Sequence, residues 1–84
     1  MPHHTKSLNA GESTGSKPVD GMRDPNIRVT NLSATEQAAF KLYRGHSANP
    51  ENLFLGRSSD MELHAEISFN IECVSGQIRV DWDD

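Results

Sequence analysis

From Met61 to Cys73 the chain alternates without a break. Met61, Leu63, Ala65, Ile67, Phe69, Ile71 and Cys73 are apolar, and Glu62, His64, Glu66, Ser68, Asn70 and Glu72 between them are polar. Successive side chains of a strand point to opposite faces, so this pattern predicts one long, half-buried strand. After Ser75-Gly76 the apolar positions become even: Ile78, Val80 and Trp82. A two-residue hairpin loop at Ser75-Gly76 would set Val74 against Gln77. Cys73 would then meet Ile78, Ile71 would meet Val80, Phe69 would meet Trp82, and Glu72 would meet Arg79 on the other face. A slip of one residue would bring apolar against polar throughout, so the pattern specifies this register. Residues 61–68 extend beyond the reach of such a hairpin. Their partner is expected to be Leu53–Gly56, the alternating segment Ile27–Asn31, or another chain.

Between these segments the sequence predicts a helix. Ser33-Ala34-Thr35-Glu36 has the form of a capping box, and Gly45 offers a C-terminal stop. On a helical projection Thr35, Ala38, Ala39, Leu42 and Tyr43 share one face, opposite Gln37, Lys41 and Arg44. Asn49-Pro50-Glu51 resembles a second helix start, but Leu-Phe-Leu-Gly at 53–56 leaves it as a single turn or a short strand. The expected order is β–α–(short β or turn)–β–β. That describes a small α+β domain of two layers, with one helix on the apolar face of a three- to four-stranded antiparallel sheet.

Residues 1–25 carry only Met1, Leu8, Ala10, Val19 and Met22 as apolar side chains, none adjacent to another. A segment this polar buries too little to offset about 1–2 kcal/mol of ordering entropy per residue. It reads as a disordered N-terminal tail, with a single domain at 26–84. The tail's charges cancel. The net charge of −4 therefore belongs to the domain, where nine acidic residues face Arg28, Lys41, Arg44, Arg57 and Arg79. That balance argues against nucleic acid or an anionic membrane as partner and suits a protein with a basic surface. The one cysteine allows no internal disulfide, no apolar run is long enough to span a bilayer, and a cytoplasmic location is expected.

Few residues offer chemistry. Alternation turns Cys73 inward, where a thiol is inert. His64 lies on the polar face between Glu62 and Glu66, each about 7 Å away along a strand. Such a row could poise a general base or take a metal. No glycine-rich phosphate loop, CxxC or HExxH occurs, and no cofactor is expected. The function these residues suggest is a small non-catalytic protein-binding module: an inhibitor, adaptor or regulatory protein. It would act through an acidic face carrying Glu62, His64, Glu66 and Glu72, or through an open strand edge. One alternative is a self-associating structural domain, a homodimer formed by strand pairing. A second is a small metal-dependent or acid/base enzyme using Glu62, His64 and Glu66.

Overall fold

A computed structural model describes residues 3–84, and every regular element in it is a strand. In chain order these are β1 (His3–Asn9), β2 (Lys17–Pro18), β3 (Ile27–Asn31), β4 (Ala38–Arg44), β5 (Glu51–Leu55), β6 (Asp60–Leu63), β7 (Ser68–Ser75) and β8 (Gln77–Asp83). They form two antiparallel sheets, β1-β8-β3-β6 and β2-β7-β4-β5. The inner faces of both sheets meet in one core built on Phe40, Leu42, Phe69, Ile71, Ile78, Val80 and Trp82. The protein is an all-β sandwich, and the expected α+β layering with a packed helix is not formed.

Three local expectations fail with it, each for a physical reason. The first is the helix. Ser33 Oγ does accept the amide hydrogens of Thr35 and Glu36, at 3.2 and 3.0 Å, as a cap would. The bonds close a turn instead, and Ala38, Phe40 and Leu42 then alternate inward along β4. Alternation over seven residues buries three side chains in the shared core. A helix would have had only the weak face of two alanines, Leu42 and Tyr43 to bury.

The second is the hairpin. Ser75-Gly76 does reverse the chain, but β7 and β8 belong to different sheets. The link is a single residue, Gly76, at φ +78°, a left-handed conformation that glycine adopts without penalty. Phe69 and Trp82 meet as expected, edge to face at 5.6 Å, but across the core rather than along a ladder. Glu72 lies opposite Lys41, and Arg79 lies opposite Ser7 and Thr30.

The third is the long strand, which is two strands. Asp60–Leu63 pairs with β3 in one sheet, and Ser68–Ser75 pairs with β4 and β2 in the other. Residues 64–67 carry the chain across. Alternation survives the crossing because both inner faces look onto the same core. Ile67 is the exception, at 75% exposed.

From His3 onward the expected N-terminal tail is ordered, and its residues 1 and 2 lie outside the described residues. His3–Asn9 pairs with β8 over its whole length, and Leu8 is fully buried. Residues 11–19 then run along β7, tied by Gly11 N–H to Cys73 O (2.8 Å), Thr14 N–H to Ile71 O (2.9 Å) and Val19 N–H to Ile67 O (3.0 Å). Its low apolar content suits edge strands, which gain from ladder bonds and need few core residues. This segment closes one side of the sandwich. The other side ends in β6 on one sheet and β5 on the other.

Candidate binding site

The four residues of the expected acidic face are dispersed. Glu62 stands on edge strand β6, opposite Arg28 and 3.2 Å from its Nη2. His64 lies in the crossing segment, where its Nε2–H donates to the Gly21 carbonyl at 3.0 Å. The acceptor is a carbonyl, so that nitrogen holds the proton. Glu66 is exposed beside it, and its carbonyl sits so close to Gly21 that a β-carbon there has no room. Glu72 is on the outer face of the opposite sheet, across from Lys41 and bridged to Ser13. A row requires one continuous strand, and the sheet change at 64–67 removes it. Among the described residues no three His, Cys, Asp or Glu side chains are grouped to hold a metal ion. Cys73 is buried, and burial, followed by the charge of Glu12, pushes its thiol above the ordinary value.

Two further surface features bear on binding. The outer face of β1-β8-β3-β6 is a shallow basin of about 570 Å³, lined by His3, Arg23, Arg28, Arg79, Asp81 and Asp83 among others. Each cation there already has a carboxylate. Arg23 Nε is 3.2 Å from Asp83, Arg79 Nε is 3.1 Å from Asp81, and His3 lies 3.0 Å from Asp83 and 3.4 Å from Asp81. Thr5 Oγ1 donates to Asp81 at 2.6 Å. The hydrogen bond to Asp83 is the main reason the His3 imidazole is raised above its ordinary value. Burial pushes the Asp81 carboxyl up, but Thr5, Arg79 and His3 together outweigh it and hold the group below its ordinary value. The face neutralises itself: His3–Asp83 and Arg28–Glu62 join neighbouring strands, Arg79 and Asp81 pair within β8, and Arg23 ties the loop before β3 to Asp83.

The second feature is the free edge at β5. Among the described residues this strand pairs with β4 alone. Leu55 is buried, Leu53 is half-buried against the core, and Phe54 between them faces outward, 61% exposed. In the ladder Phe54 stands opposite Ala39. On the far side of Ala39, β7 makes a bulge carrying Val74, itself 48% exposed. Arg44 and Glu51 form an ion pair at the start of the strand. No lysine or proline lies within β5 to discourage pairing, whereas β6 carries Asp60 and Glu62. The signal for this edge was present in the sequence. In an apolar triplet such as Leu53-Phe54-Leu55, a strand must turn the middle residue to the opposite face from its neighbours.

No family model, curated protein or solved structure matches the chain. Among the described residues no helix is long and apolar enough to cross a membrane.

Proposed function

We propose that the protein is a non-catalytic binding module that takes an extended polypeptide strand against β5. The observation that carries this reading is Phe54, a large aromatic side chain 61% exposed on a strand with no neighbour on its far side among the described residues. An open edge supplies backbone hydrogen bonds to any extended chain. Phe54 outward and Leu53 inward would then read alternate side chains of the added strand. Aromatic side chains, phenylalanine among them, are enriched in protein–protein interfaces relative to the rest of the surface. A cytoplasmic setting belongs to the same proposal, supported by the single reduced cysteine.

The test is a selection of displayed random peptides on the folded protein, followed by amide chemical-shift mapping of the best binder. Shifts should concentrate at 51–55 and at Ala39, and Phe54→Lys should abolish binding without changing the melting temperature by more than about 2 °C. Shifts centred on the basin between Arg28 and Arg79 would overturn the proposal.

A further inference from the structure

We infer that the strand β5 takes is the β5 of a second copy, giving a two-fold dimer with one continuous eight-stranded sheet. This rests on reading β5 as a binding edge and adds the identity of its occupant. The argument comes from what each free edge would meet in its own copy. A two-fold antiparallel pairing sets residue i opposite residue 2c − i, where c is the residue on the axis. Only whole-residue centres keep the inner face of one copy continuous with that of the other.

At β6 every such register opposes like charges: Asp60 meets Glu62 when Met61 is central, and Glu62 meets Glu62 when it is central itself. At β1 the row on the inner face is the half-buried His4, the exposed Lys6 and the buried Leu8. Centres at Thr5, Lys6 and Ser7 set Lys6 against His4, Lys6 or Leu8 of the copy, which places a lysine at the junction of the cores. β2 is two residues long and includes Pro18, which lacks an amide hydrogen.

β5 is different. Centred on Leu53, it sets Leu53 against Leu53, Asn52 against Phe54, and Glu51 against Leu55. Centred on Phe54, it sets Phe54 against Phe54, Leu53 against Leu55, and Glu51 against Arg57. Neither register opposes like charges, and both cover the half-buried flank of Leu53 and the exposed ring of Phe54. Of the sandwich's free edges among the described residues, β5 is the one that complements itself. The resulting order, β2-β7-β4-β5 followed by its two-fold mate, leaves that sheet with the short, proline-bearing β2 at each end.

The dimer has a distinctive salt dependence. Each copy carries −4, so the two repel at long range, and added salt should strengthen their association through screening. A basic partner at the same edge would show the opposite trend.

The experiment is sedimentation equilibrium of the full chain from low micromolar to millimolar concentration, at low and high salt. The mass should rise from 9.3 kDa toward twice that value, sooner at high salt. The double substitution Asn52→Lys and Phe54→Lys opposes lysines in both registers and should weaken dimerisation about ten-fold or more. Should that variant unfold, the wild-type amides of 51–55 still report: their hydrogen exchange should slow as concentration rises. A mass fixed at 9.3 kDa up to millimolar concentration would overturn the dimer, as would undiminished dimerisation of a folded double variant. If the chain stays monomeric while selected peptides bind at 51–55, the dimer fails and the strand-addition reading survives. If neither occurs, both fail.

Discussion

At the scale of single residues, the sandwich depends on two buried asparagines at the ends of β3. Asn26 donates through Nδ2 to the carbonyls of Ala65 (2.7 Å) and Asp20 (3.0 Å), and its Oδ1 accepts from Ala65 N–H at 3.0 Å. The side chain thus imitates a strand neighbour for Ala65, just where the chain leaves one sheet for the other. Asn31 does similar work at the opposite end, donating to the carbonyls of Glu36 and Gly56 at 2.8 and 3.0 Å. Removing such a side chain strands several buried backbone groups, each costing roughly 1–3 kcal/mol. Asn26→Ala should therefore lower the unfolding free energy by on the order of 3 kcal/mol in urea titration. Asn26→Asp should be worse at neutral pH, because it loses both donors and buries a charge. A change below about 0.5 kcal/mol for either would show that the crossing is held by other contacts. Cys73 gives an independent test of the core. With its thiol fully buried and its ionisation suppressed, it should resist a thiol reagent in the native protein and react rapidly in denaturant.

At the scale of elements, edge strand β1 is held to β8 by a cluster that titrates. The raised His3 imidazole contributes stability that is complete below its ordinary value of 6.5 and disappears as pH rises through its higher folded value. The lowered Asp81 carboxyl contributes stability present above its ordinary value of 3.8, lost as pH falls through its lower folded value. Both are in place between 3.8 and 6.5. The melting temperature of wild type should exceed that of His3→Gln most within that window, and the difference should close as pH rises past His3's folded value. A gap that widens toward alkaline pH would contradict the arrangement. The same elements show what the sequence could disclose. Period-two alternation located β3, β7 and β8 and correctly turned Phe69, Ile71, Cys73, Ile78, Val80 and Trp82 inward, because face is a local property. Pairing is not local. Nothing in Ser75-Gly76 distinguishes a hairpin turn from a one-residue passage between sheets, since both need a residue with positive φ and both keep inward residues inward. The capping signal at Ser33 was real, but the hydrogen bonds it describes serve a turn as well as a helix. Alternation of Ala38, Phe40 and Leu42 was the competing pattern, and burial on both sides of one core decided in its favour. The acidic row had no existence apart from the long strand and vanished with it.

At the scale of the whole molecule, residues 3–19 decide whether a sandwich this small can stand. Composition suggests that they are dispensable, whereas the fold makes them structural. β1 gives β8 a full-length ladder partner, Leu8 fills the core beneath it, and His4 stacks on Trp82 with ring centroids 5.3 Å apart. Residues 11–19 do the same for β7 through Thr14, whose hydroxyl accepts from Ile71 N–H at 3.1 Å, and Val19, a member of the core. Loss of one buried leucine alone costs about 2–5 kcal/mol. A domain's whole stability is typically about 5–15 kcal/mol, with small domains toward the lower end. Truncation would take away Leu8, Val19, the β1 ladder and the cover over β7 together, leaving β8 and β7 as long bare edges with their apolar sides exposed. A chain beginning at residue 26 should therefore show no cooperative thermal transition and should aggregate at concentrations where the full chain is clear. Leu8→Ala in the full chain isolates the core contribution and should still melt cooperatively, about 10–20 °C lower, by the usual scaling of melting temperature with stability in a domain of this size. A truncated chain that melted within a few degrees of the full one would mean that β1 and β2 merely lie on a sandwich already complete without them.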